Sequence, residues 1–140
     1  MCGLFGAWGW PELNTTAALK ALQSRGPDDQ GEWVDPCGLR LLHTRLAIQD
    51  LSPLGHQPML ASDYGLAVVF NGEIYNFQEL RKELQTLGRR FHSHSDTEVV
   101  LEGFAVWREA LWSRLEGMFA IAMWDAQTRE LYLVRDPLGI

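Results

Sequence analysis

The polar and apolar positions of this chain change period several times, and each change marks an element. Leu4 to Trp10 is short, apolar and punctuated by glycine, with Pro11 after it, which predicts a buried strand entering a loop. Asn14 then offers a cap for a helix over Thr15 to Ser24, with Ala18 and Leu22 on one face, and Gly26-Pro27 stops it. Gly31 to Val34 and Leu39 to His43 read as two strands across the turn Asp35-Pro36-Cys37-Gly38. Leu66 to Phe70 is a continuous apolar strand ending at Asn71-Gly72. Asn76 and Glu79 have capping-box spacing before a helix whose stripe is Leu80, Leu84 and Leu87, closed by Gly88. Ser95 and Glu98 repeat that spacing before Val99 to Trp107, and Met118 to Trp124 with Leu131 to Val134 reads as a hairpin.

Strands, helices and more strands, joined often by short turns and without regular βαβ alternation, predict an α+β layered fold with antiparallel sheets. At 140 residues, 46% hydrophobic and 21% charged, the chain suffices for one domain with a real core. A net charge of -6 argues against a nucleic-acid surface, and without a basic stripe the six Trp read as core and cleft packing. No apolar run is long enough to span a bilayer, and no signal-peptide pattern opens the chain. With two Cys, the expectation is a cytoplasmic protein without a disulfide framework. Glu130 to Arg135 leads into Asp136-Pro137-Leu138-Gly139-Ile140, a turn and the start of something apolar. The reading is one domain over residues 1–140, cut from a parent sequence that continues.

Candidate chemistry begins at Cys2. Loss of Met1 would leave a thiol and a free α-amine on one residue, nucleophile and base together. The bland alternative is a small hydrophobe at a chain start. Asn71-Gly72 follows a buried strand, so a side-chain amide and a backbone N–H could together stabilise the oxyanion that a thiolate makes from an amide. The same dipeptide is also the sequence of a tight hairpin turn. Arg45 could clamp an α-carboxylate with its fork, or pair with Asp50 at the surface. Asp96 could accept from a substrate ammonium, or complement the dipole of the helix it begins. Glu73 could serve the same ammonium. Arg25-Gly26-Pro27-Asp28 reads as a rigid polar turn near the cleft. His92 and His94 are spaced as metal ligands can be, but no third ligand stands at diagnostic spacing. Neither a Gly-rich phosphate loop nor a Ser-Gly-Gly-x-Asp loop is present, so no ATP site is expected in this chain.

Several segments in order along the whole chain carry a resemblance. They are Met1-Cys2-Gly3-Leu4-Phe5-Gly6, Arg25-Gly26-Pro27-Asp28, Arg45-Leu46-Ala47-Ile48, Gly55-His56-Gln57-Pro58-Met59, Phe70-Asn71-Gly72-Glu73-Ile74-Tyr75-Asn76, Ser95-Asp96-Thr97-Glu98-Val99 and Arg135-Asp136-Pro137-Leu138-Gly139-Ile140. With them the chain resembles the glutaminase domain of class II, N-terminal-nucleophile glutamine amidotransferases, and within that group the asparagine synthetase branch. The resemblance implies a four-layer αββα sandwich of antiparallel sheets. It implies Cys2 as nucleophile, Asn71 and Gly72 as oxyanion donors, and Arg45 on the glutamine carboxylate with Leu46, Ala47, Ile48 and Gln49 lining the same segment. It places Glu73 and Asp96 at the glutamine backbone ends.

The resemblance further implies that glutamine is the substrate. It puts ATP and Mg in a C-terminal synthetase domain that this chain lacks, and it allows a homodimer; no metal is expected here. Ser24 stands where the family often has His before Arg-Gly-Pro-Asp, a departure that removes no group the mechanism needs. The competing readings are another class II amidotransferase, forming an amino sugar or phosphoribosylamine, a non-catalytic domain that keeps the fold, and a metal module at His92 and His94.

Overall fold

The structure, a computed structural model, describes residues 2–139. Its elements run β1 (Gly3–Trp8), α1 (Thr15–Leu22), β2 (Asp29–Val34), β3 (Leu39–Arg45), β4 (Met59–Ala61), β5 (Leu66–Ile74), α2 (Phe77–Thr86), α3 (Asp96–Trp107), β6 (Gly117–Asp125) and β7 (Glu130–Arg135), with three short 3-10 turns between them. The strands form two sheets, ordered β1-β3-β2 and β4-β5-β6-β7. Every strand pairing is antiparallel.

Side-chain alternation along β3, β5 and β6 builds the layers. Leu39 and Leu41 of β3 meet Ala67 and Val69 of β5 and Ala122 and Trp124 of β6 in one buried cluster between the sheets. The opposite face of the second sheet sends Val68, Phe70, Ile121 and Met123 against Leu80 and Leu84 of α2 and Val99, Val100 and Phe104 of α3. α1 lies on the outside of the first sheet, against β1 and β3. The order is therefore helix, sheet, sheet, helices, the four-layer αββα sandwich expected from the resemblance. Among the described residues, no helix is long and apolar enough to cross a membrane.

The structure departs from the sequence reading at particular places. β5 does not stop at Phe70: it runs through Asn71-Gly72 to Ile74, with Gly72 opposite Phe119. A hairpin turn at Asn71-Gly72 is thereby ruled out. α3 begins at Asp96, earlier than the apolar run from Val99. The three-residue β4 carries too short a pattern to be read from sequence. Asn76 does not cap α2; its amide donates to Arg114 O at 2.9 Å and accepts from Glu116 N at 3.1 Å. Tertiary partners win because φ -93 and ψ 20 at Asn76 lie outside the extended conformation of a normal cap. Leu87, expected on the buried stripe, falls past the last turn of α2 and is exposed.

Candidate active site

Cys2 precedes β1 and lines an open cavity. Leu46 N donates to its Sγ at 3.3 Å, and Arg25 Nε donates to its carbonyl at 3.0 Å. Asp28 Oδ2 accepts from Ala47 N at 2.9 Å. The Arg25-Gly26-Pro27-Asp28 turn thus grips both the backbone that carries the thiol and the segment beside it. Gly26 permits this closeness, since a Cβ there would meet Thr44 O at 2.3 Å. Cys2 and Cys37 are both free thiols. Met1 lies outside the described residues.

β5 supplies the next groups through its hydrogen-bond phase. Tyr75 N donates to Glu116 O at 2.7 Å, which turns the polar groups of odd-numbered residues toward β6. Phe70, Gly72 and Ile74 then face the other edge, where β4 reaches only as far as Val68. Side chains cover most of that open edge. Gln57 Oε1 accepts from Phe70 N at 2.6 Å, and Asp96 Oδ2 accepts from Ile74 N at 3.0 Å. Between them, Gly72 N–H faces the cavity, and among the described residues no side chain takes it. Gly72 is at φ +148, and a Cβ would meet Met118 O at 2.0 Å, so only glycine lets the strand pass here. Asn71 lines the same cavity, with its Oδ1 buried and without a partner.

Arg45 is buried at the end of β3 and lines the cavity. Two of its N–H groups hold carbonyls of the following loop, that of Ser52 at 2.9 Å and that of Asp50. The sequence reading left a surface pair with the Asp50 carboxylate open. Instead that carboxylate accepts from Ser52 N and His94 N, both at 2.8 Å. Burial pushes the Asp50 carboxyl up, but these donors and the Arg45 charge outweigh it, and the group sits below the usual carboxylate range. A guanidinium has five donors in one plane, so Arg45 can hold the loop and still present N–H groups to a carboxylate. With the substrate that the resemblance implies, Arg45→Lys is expected to raise KM at least about tenfold with a smaller change in kcat, because an ammonium cannot serve both partners. Steady-state kinetics checks this.

Asp96 sits at the start of α3, capped by Ser95, whose Oγ accepts from Glu98 N at 3.2 Å. It is buried against the cavity, and burial pushes its carboxyl up to about 6; hydrogen bonds from Ile74 and Thr97 oppose the rise and the Glu73 charge adds to it. A carboxylate so placed gains most from a cation arriving beside it. Glu73 Oε1 accepts from Gln49 Nε2 at 3.1 Å, bridging β5 to the segment after Arg45.

Cys2, Arg45, Leu46, Ile48, Gln49, Asn71, Gly72, Glu73 and Asp96 all line the one cavity. Ala47, grouped with them from sequence, is not among its lining residues; its amide is turned to Asp28 instead. Sequence reasoning assigned no role to Gln57 or His43. The signal for Gln57 was present in the Gly55-His56-Gln57-Pro58-Met59 motif. His92 is exposed beside Glu98, and among the described residues no group of three His, Cys, Asp or Glu is placed to hold a metal.

Two solved structures share this architecture. Glutamine phosphoribosylpyrophosphate amidotransferase from B. subtilis superposes with a TM-score of 0.82 at 22% identity, over 99% of this chain and 38% of that one. The allosteric regulatory enzyme of purine biosynthesis gives 0.80 at 23%, with the same coverage. The chain shares the fold of these two structures. Residues 1–140 match the family model of the glutamine amidotransferase domain, and the chain belongs to that family. Among curated relatives, asparagine synthetase [glutamine-hydrolyzing] 3 of Bacillus subtilis is 41% identical over 85% of this chain. A putative asparagine synthetase [glutamine-hydrolyzing] of Mycobacterium bovis is 41% identical over all of it. The chain spans only 19% and 24% of the length of these two proteins.

Proposed function

We propose that this domain hydrolyses the side-chain amide of glutamine and supplies the ammonia for asparagine synthesis. The observation that carries the reaction is the open edge of β5, where an uncommitted Gly72 N–H and Asn71 flank a cavity that also holds the Cys2 thiol. The Cys2 thiolate attacks the amide carbon of glutamine, and its α-amine, once Met1 is lost, takes the thiol proton. Asn71 Nδ2 and Gly72 N stabilise the tetrahedral oxyanion. The C–N bond then breaks, and ammonia leaves with a proton returned by the α-ammonium. Water adds to the thioester, and glutamate departs with the thiol restored. Arg45 holds the α-carboxylate; Asp96, with Glu73 beside it, holds the α-ammonium. Ile48 and Gln49 border the substrate.

The chemistry needs no cofactor in this chain. ATP and Mg would serve a synthetase domain, the partner we assign from the relatives named asparagine synthetases. Cytoplasmic location and a homodimer belong to the same proposal. Glutamate release from glutamine, with intact mass of the same sample, tests it. Loss of Met1 together with turnover supports the reading; folded protein without Met1 and without turnover overturns it. Asn71→Ala is expected to lower kcat about 100-fold, the usual effect of losing one oxyanion donor, with KM little changed.

A further inference from the structure

His43 is fully buried between the sheets and lines no part of the cavity, yet it touches the strand that carries the oxyanion donors. Its Nε2 lies 3.1 Å from Phe70 O. A carbonyl only accepts, so Nε2 carries the hydrogen and the ring is the neutral Nε2–H tautomer. The Nδ1 atom is buried without a hydrogen-bond partner, as fits a nitrogen that carries no proton. Burial holds the ring neutral, with its pKa pushed down to about 4. On the same residue, Gln57 Oε1 takes Phe70 N, and Gln57 Nε2 donates to Thr97 Oγ1 at 3.2 Å. Both polar groups of Phe70 are therefore fixed from outside the sheet, at the point where β4 has ended.

Resting on the proposed reaction, we infer that His43 is a positioning residue for the oxyanion donors. With Gln57 it clamps Phe70 and so sets where the next two residues, Asn71 and Gly72, stand. An unsupported edge strand twists and frays, and an error of about 1 Å at a catalytic donor costs about 100-fold in rate. Arg45 shares β3 with His43, but its guanidinium is held by the carbonyls of Ser52 and Asp50, and Asp96 stands at the start of α3. The effect therefore falls on kcat and spares KM.

The test is steady-state glutaminase kinetics on His43→Leu, His43→Asn, His43→Gln and Gln57→Leu, with nitrogen NMR of the His43 ring in the unmodified protein. His43→Leu and His43→Asn are expected to lose about 10- to 100-fold in kcat with KM within about threefold of the parent. His43→Gln, whose amide can reach the Phe70 carbonyl, recovers most of the rate. Gln57→Leu also loses kcat, which carries the test if His43→Leu does not fold. The NMR shows the Nε2–H tautomer at pH 7. Wild-type kcat in His43→Leu, a His43→Gln as impaired as His43→Leu, or an Nδ1–H tautomer overturns the role alone. Parent protein that releases no glutamate overturns the proposed reaction and this role with it.

Discussion

Cys2→Ala is expected to lower glutamine turnover by at least about 10⁴-fold while the domain stays folded. No other thiol stands in the cavity, since Cys37 lies in the β2–β3 turn and is not among its lining residues. Once Sγ is gone, no thioester forms, and the oxyanion donors have no adduct to stabilise. The structural loss is small. Sγ accepts one backbone N–H from Leu46, and its own donation to Leu46 O, at 3.7 Å, is long. Removing that acceptor costs on the order of 1 kcal/mol, or about 2–5 °C in Tm for a domain of this size. Cys2→Ser keeps an acceptor for Leu46 N and separates the two effects: it restores Tm without restoring turnover. Glutamate release by either variant at a tenth of the parent rate would refute Cys2 as the nucleophile.

Asp96→Asn moves activity and stability in opposite directions. In the proposed reaction the buried carboxylate meets the α-ammonium of glutamine, and removing one partner of a desolvated pair costs several kcal/mol of binding. The expected loss in kcat/KM is about 10³-fold. The free protein meanwhile carries a penalty. Burial raises the folded-state pKa from 3.8 to about 6, above the unfolded value, so the ionised form destabilises the fold. That cost is fully present above about pH 6 and disappears as pH falls from 6 toward 4. An asparagine amide can still accept from Ile74 N and carries no charge. At pH 8 the variant is therefore expected to be more stable than the parent, by up to about 3 kcal/mol, with the advantage shrinking toward pH 4. In the parent, kcat/KM for glutamine is expected to fall as pH drops below about 6, because a protonated Asp96 would no longer attract the ammonium. Urea unfolding and kinetics across pH 4 to 8 read all three effects. A variant with parental kcat/KM and a parental unfolding curve would contradict both assignments.

Much of the site is legible in the amino-acid sequence, because its chemistry sits in side chains that few other tasks require. A thiol at position 2 and an Asn-Gly after an apolar run each have a bland alternative, and their combination points to amide hydrolysis. The choice between alternatives is not legible there. Asn71-Gly72 is as good a turn sequence as an oxyanion pair, and only the pairing of Gly72 with Phe119 excludes the turn. Arg45 and Asp50 are close in sequence, which suggests an ion pair. The fold instead gives the guanidinium to backbone carbonyls and the carboxylate to amides of Ser52 and His94. Ala47 groups with its neighbours by sequence, yet its amide is turned to Asp28 by a contact nineteen positions away in the chain.

The sequence by itself determined the layered class and most of the elements, and it singled out Cys2 as the candidate nucleophile. Those follow from local period and from residue type. Tertiary structure decided which groups are left uncommitted. Whether Gly72 N–H is available depends on β4 ending at Val68 and on Gln57 and Asp96 taking the amides on either side. Whether the Asp96 carboxyl is perturbed depends on its burial. A free donor or a shifted pKa is a property of what surrounds a group, and residues distant in sequence become surroundings only when the chain has folded.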